Sequence, residues 1–312
     1  MKKTHWLVVL LLVCVQINAQ NGLAKKSDIK KFKSRPILVV LETENSEYSK
    51  FFNKTIKEIF KKYWTLNDSV MFMEKGIYKT KRRGGQRGWA VVEFSEDAFY
   101  KSELEGWSSS SYDYRYRIWH WQACAMMFSL VEDHDKIYNF IHRETLPNMF
   151  PSKGDLIYSL QMTQNLFKNK LNNISRKDNK KQIQLNSKFL KNKTLLIDSS
   201  ELHKNLTIEK LKKAYPYPME LVGYDQIQKA IVNNDSSYAY IQIVPTTYPL
   251  FESSTTNEFI VTSYGFGHRI VGAKNGTVLG ELKSVNLPIR IMTYGGRIKA
   301  KQLKKFTKSI EK

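Results

Sequence analysis

The sequence predicts an α/β chain of two similar small mixed-sheet domains, with internal duplication as the expected origin, joined by one long helix. Three observations lead there. Residues 36–41 (Pro-Ile-Leu-Val-Val-Leu) and 193–198 (Lys-Thr-Leu-Leu-Ile-Asp) are short apolar runs of the kind that form strands buried on both faces. Each is followed by the same order of helix, strand, connector, strand, loop and strand. Between the two series, Leu156, Leu160, Thr163, Phe167 and Leu171 recur at helical spacing.

Along the chain, Lys2 and Lys3 precede an unbroken apolar run from Trp6 to Val15, and Ala19 offers a small-residue exit. That order is a secretory signal peptide over 1–19, too short to be a membrane span. Cys14 lies inside the apolar run behind Val13, which does not fit a lipidation site. After cleavage only Cys124 remains, among Trp121, Ala123, Met126 and Met127, so a buried thiol without an internal disulfide is expected. Residues 20–35 are polar and Lys-rich and read as a basic leader.

In the first domain (36–150), Phe52, Ile56, Ile59, Phe60 and Tyr63 mark a helix over 48–64, and strands follow at 70–73 and 88–94. Tyr112, Tyr114, Tyr116 and Ile118 alternate with Asp113, Arg115 and Arg117, the pattern of a further strand. Residues 151–191 hold the connecting helix, with Ser152 as N-cap and Asp155 completing part of a capping box, and then a polar, basic linker from 175 to 184. In the second domain (192–296), a helix over 206–215 stops at Pro216, and a strand follows at 219–222. A helix covers 224–233, and a strand over 238–244 closes at Pro245. Further strands lie at 258–264 and 269–272, and Asn275-Gly276 marks a tight hairpin. Residues 297–312 read as a basic tail. Helix-linked strands should be parallel and hairpin strands antiparallel.

Composition narrows the function. With 42% apolar and 12% aromatic residues the chain can build cores, and two cysteines exclude a disulfide framework or a multi-cysteine zinc site. Without residues 1–19 the chain has 48 basic and 29 acidic residues, a net charge of +19. The excess gathers at 25–35, 79–87, 168–193 and 297–312. After export, an envelope protein or an anionic membrane surface is the expected partner. Nucleic acid is not, because no finger or other nucleic-acid motif accompanies the charge. The short lysine-led signal and the Lys-, Asn- and Ile-rich composition resemble exported proteins of Bacteroidota, which places the chain in a periplasm or cell envelope.

Residues 37–41 with their helix, and 238–244, resemble the small α/β units of TolB amino-terminal domains and of curli-secretion or penicillin-binding-protein-activator envelope proteins. The resemblance implies non-enzymatic work as a scaffold or assembly factor. The candidate contact residues are Lys79, Lys81, Arg82, Arg83 and Arg87 in a basic turn, and the tyrosine face Tyr112, Tyr114 and Tyr116.

Signs of enzymatic chemistry are sparse. His134 and His142, eight apart, would stand ~12 Å apart on a helix, too far for one metal. No His-Glu-x-x-His, Gly-x-Ser-x-Gly or P-loop spacing occurs. Neither a metal nor a cofactor is expected. The competing classes are an envelope hydrolase using a histidine near His120 or His268 as general base, and a peripheral membrane-surface protein attached through its basic clusters.

Overall fold

The computed structural model describes residues 24–83, 88–96, 124–131, 139–146, 151–252, 259–282, 287–288 and 297–312. The first unit opens with α1 (Lys26–Ser34), β1 (Ile37–Leu41), α2 (Glu47–Tyr63), β2 (Val70–Glu74) and α3 (Lys75–Arg83). It closes with β3 (Ala90–Glu96), β4 (Cys124–Leu130) and β5 (Asn139–Thr145). The sheet order is β2-β1-β3-β4-β5. β1 is parallel to β2 and β3, while β3, β4 and β5 are antiparallel in turn. Right-handed crossovers to opposite sides of β1 put their helices on opposite faces of the sheet. Ile37, Val39 and Leu41 accordingly join the core under α1 and α2, and Leu38 and Val40 pack with Tyr78 of α3.

The second unit repeats this plan. It contains a 3₁₀ turn (Ser187–Asn192), β6 (Thr194–Asp198), α6 (Ile208–Ala214), β7 (Met219–Val222) and α7 (Tyr224–Val232). Then come β8 (Tyr238–Glu252), β9 (Phe259–Gly272), β10 (Val278–Leu282), the short β11 (Leu287–Pro288) and α8 (Ala300–Glu311). Read from β7, the order is β7-β6-β8-β9-β10, with the same two parallel and two antiparallel pairings as the first sheet. β11 adds to β9. The chain is therefore α/β with two small mixed sheets, as the sequence predicts.

Between them runs α4 (Lys153–Leu171), followed by α5 (Arg176–Asn186). Both aspects of α4 are buried. Phe167 meets Phe32, Trp64 and Phe128 of the first unit at ring separations of 5.5, 6.4 and 5.6 Å. Tyr158 meets Tyr240 of the second unit edge to face at 6.4 Å. One apolar core consequently runs from Ile29 and β1 through α4 to Ile227, Ile231, Tyr240 and Val271. A second core, under the other face of the second sheet, joins Leu195, Ile197 and Leu211 to Leu303, Phe306 and Ile310 of α8.

Several local expectations differ from the structure. The basic leader contains α1, because Ile29 and Phe32, one turn apart, are fully buried. Asn67 fixes its end, donating to the carbonyls of Phe32 (2.6 Å) and Arg35 (2.8 Å). The basic linker is helical as α5, where Ser175 caps by accepting from the Asp178 amide at 3.1 Å. The basic tail is α8, amphipathic rather than merely charged. The expected turn at 79–87 begins inside α3. Pro245 does not close its strand: β8 runs on to Glu252, and β9 is continuous. Among the described residues β8 pairs with β6 only through Tyr240, so no bond of that ladder needs the N–H that Pro245 lacks. His142 lies in β5, not on a helix. Cys124 is buried at the start of β4.

Candidate functional site at the junction of the two units

The parallel strands of each sheet point the same way. α7 starts at the carboxyl end of β7, and its Tyr224 and Gln228 lie against Ser152, Gly154 and Asp155 of α4's first turn. α4 itself starts after β5, at the carboxyl side of the first sheet. The carboxyl edges of both sheets thus share one side of the molecule. In open α/β sheets that edge, where the strand order reverses, is where ligands bind.

Asp155 organises the junction. Its carboxylate is buried, 2% exposed, and accepts from Ser152 N (2.9 Å), Ser152 Oγ (2.8 Å) and Tyr224 Oη (2.5 Å). The capping box is thus complete with aspartate in the third position, and it also ties α7 to α4. Ser152 Oγ lies 2.6 Å from Gln228 Oε1, so its single proton serves Asp155 or Gln228. With the Gln228 amide turned over, its Nε2 donates to Ser152 and both carboxylate bonds survive. A Cβ at Gly154 would collide with Gln228 Oε1, so glycine allows this close approach. Burial, and then the Asp155 charge, holds the Tyr224 phenol well above its usual range.

One helical turn on, Arg269 of β9 donates from Nη1 to Tyr158 Oη (3.1 Å) and from Nε to Glu281 Oε1 (3.0 Å). Burial pushes Tyr158 up to about 12, with Arg269 working against it. His142 Nε2 lies 3.2 Å from Glu144 Oε2, with its ring between Phe128 and Phe167. These polar groups satisfy one another and fix the orientation of the units.

The groups facing outward at the shared edge are different. In the first unit, Lys75 Nζ lies 3.1 Å from both carboxylate oxygens of Glu42. Buried Asn53 pins the loop after β1, accepting from Glu42 N (3.0 Å) and donating to Glu42 O (2.8 Å) and Glu44 Oε1 (3.2 Å). In the second unit, Asp198 Oδ1 at the end of β6 accepts from Ser200 N (2.9 Å) and Oγ (2.7 Å). Along the exposed side of α2, a shallow groove of about 390 Å³ is lined by Glu44, Lys50, Lys54, Lys57, Glu58 and Lys61. Glu58 is engaged by Lys153 at 2.6 Å.

The sequence-predicted contact residues separate. Lys79 and Lys81 occupy the later turns of α3, which runs from the carboxyl edge back toward the start of β3 at the opposite edge. Arg82 and Arg83 end that helix, and Arg87 lies outside the described residues. Tyr112, Tyr114, Tyr116 and His120 also lie outside them, between the end of β3 at Glu96 and the start of β4 at Cys124, both on the carboxyl edge. His268 is buried, 3% exposed, with Gln302 Nε2 of α8 3.5 Å from its Nε2. Among the described residues no group of His, Cys, Asp or Glu could hold a metal ion.

Sequence reasoning found Ser152 and Asp155 only as part of a cap. It missed Tyr224, Asn53 and Arg269, whose partners are 69, 11 and 111 residues away. Scans against family models, curated proteins and solved structures find no match.

Proposed function

We propose that the chain is an exported, non-enzymatic binding or scaffold protein of the bacterial cell envelope. The observation that carries this reading is the shared carboxyl edge. Two α/β units are held in one orientation by a helix buried between them, and their binding edges face the same side. Glu96 and Cys124 lie paired on that edge, and the sequence between them contains the tyrosine series at 112–116, a residue type that protein interfaces favour. The amino-terminal signal pattern supports export.

The test is a cross-linked pull-down of the tagged protein from fractionated cell envelopes, at low and at high salt. A specific protein should be captured at both salts and lost from a Tyr112→Ser, Tyr114→Ser, Tyr116→Ser variant. Capture of no protein at either salt, or capture indifferent to the triple substitution, overturns the reading.

A further inference from the structure

The edge opposite the carboxyl edge carries a different chemistry. α5 lies there, tied by Asn179 to Asn169 near the end of α4 (3.2 Å) and by Asn186 to the carbonyl of Val278 at the start of β10 (3.3 Å). In the 3₁₀ turn that follows, Ser187 donates to the carbonyl of Ser309 near the end of α8 (2.8 Å). α5 buries none of its residues. Asn179, Ile183 and Asn186 are half-buried against the protein, and the opposite side of the helix presents Lys177, Lys181 and Leu185.

Two features of this outward side stand together. Leu185 is 57% exposed and Phe189, four residues on, is 60% exposed. Around them, residues 174–193 carry seven cations (Arg176 and Lys177, Lys180, Lys181, Lys188, Lys191 and Lys193) against one acid, Asp178. Asp178 is turned to its own N-cap, where Ser175 Oγ donates to it at 2.5 Å. The basic α1 joins the same edge, since Lys26 Nζ donates to Asn173 Oδ1 at 2.6 Å. Lysines alone would suit any polyanion. Two bulky apolar side chains set among lysines, one on a surface helix and one in the turn that follows it, suit a bilayer interface, where rings and alkyl groups enter the acyl boundary and ammonium groups reach lipid phosphates.

We infer that the outward face of α5 and the following turn rest on an anionic lipid surface, with Leu185 and Phe189 inserted and Lys177, Lys181 and Lys188 on the head groups. Among the described residues no helix is long and apolar enough to cross a membrane, so the contact is peripheral. It leaves the carboxyl edge facing away from the bilayer. It stands independently of the partner reading above, which concerns the other edge.

The experiment is co-sedimentation of the protein, purified as it accumulates in cells, with vesicles of phosphatidylethanolamine and phosphatidylglycerol, and with vesicles of phosphatidylcholine alone. Binding should require the anionic lipid and weaken with salt. Lys177→Gln, Lys181→Gln, Lys188→Gln together should lower it on the order of a hundredfold, from ~1 kcal/mol per lysine. Leu185→Ser with Phe189→Ser should lower it by at least about tenfold, from the apolar area withdrawn. All five positions are exposed, and circular dichroism checks that both variants stay folded. No binding to anionic vesicles, or binding unchanged in both variants, overturns the inference. So does loss in the lysine variant alone with equal affinity for a DNA duplex, which would mark a general polyanion surface.

Discussion

At the scale of single residues, Asp155 is the group that ties the two units' helices together at the junction. It completes the capping box of α4 and receives the Tyr224 hydroxyl of α7, so one carboxylate links two elements 69 residues apart. Removing it leaves Ser152 as N-cap but takes away the carboxylate that the Ser152 amide and the Tyr224 hydroxyl share. Asp155→Ala should therefore cost about 2–4 kcal/mol, the loss of the bonds that the Ser152 amide and the Tyr224 hydroxyl make to a charged acceptor. Tyr224→Phe keeps both Ser152 donors on the carboxylate and should cost ~1–2 kcal/mol. Urea unfolding of both single variants and the double variant tests the link. The double variant should be less destabilised than the sum, by ~1 kcal/mol or more, because both single changes remove one bond. Strict additivity would show that the 2.5 Å contact contributes nothing to stability.

At the scale of elements, what was legible in the sequence follows from how local each signal is. Strands buried on both faces, such as β1, announce themselves as unbroken apolar runs, and α4 shows its apolar spacing because Phe167 and its neighbours repeat turn by turn. α1 and α8 were hidden by lysine. In α8 the lysines fill the outer side while Leu303, Phe306 and Ile310 recur at spacings of three and four, so composition masks a plain helical period. The length of β8 depends on which of its edges is paired, a tertiary fact that no local signal carries. The junction network was unreadable for the same reason.

Phe306 shows how firmly α8 belongs to the fold. It is 2% exposed, and a Cβ at Gly280 of β10 would stand 2.9 Å from its ring. Phe306→Ala should cost about 3–5 kcal/mol through lost burial and the cavity left behind. Limited trypsin digestion should then cut at Lys304 and Lys305, which the folded helix protects. Unchanged protection would mean that α8 is held by contacts other than this ring.

At the scale of the whole molecule, the two units are stacked head to tail. The first offers the side bearing α1, α2 and α4, and the second offers α7, which by topology corresponds to α3. Among the described residues such an arrangement leaves one matching face uncovered at each end, and it would extend into a filament if those faces were complementary. They are not. Where α7 turns Ile227, Ala230 and Ile231 inward, α3 buries Tyr78, leaves Ile77 52% exposed and is rich in lysine and arginine. The far face, formed by α6 and α8, is also lysine-rich, so the two ends repel. Within one molecule, by contrast, the core is continuous from Ile29 to Val271, and unfolding either unit exposes apolar surface on the other. The molecule should therefore unfold in one cooperative transition. Its tryptophans make this decidable, because Trp64 and Trp89 belong to the first unit and none lies beyond Trp121 in the sequence. Their fluorescence reports the first unit, while circular dichroism reports both. The urea transitions seen by the two probes should coincide. Phe306→Ala, a change in the second unit's own core, should move the tryptophan midpoint down by about 1 M or more, given its cost and ordinary denaturant slopes. A tryptophan midpoint that stays in place while the dichroism transition splits would show two independent domains, with α4 a link between them and not their shared core.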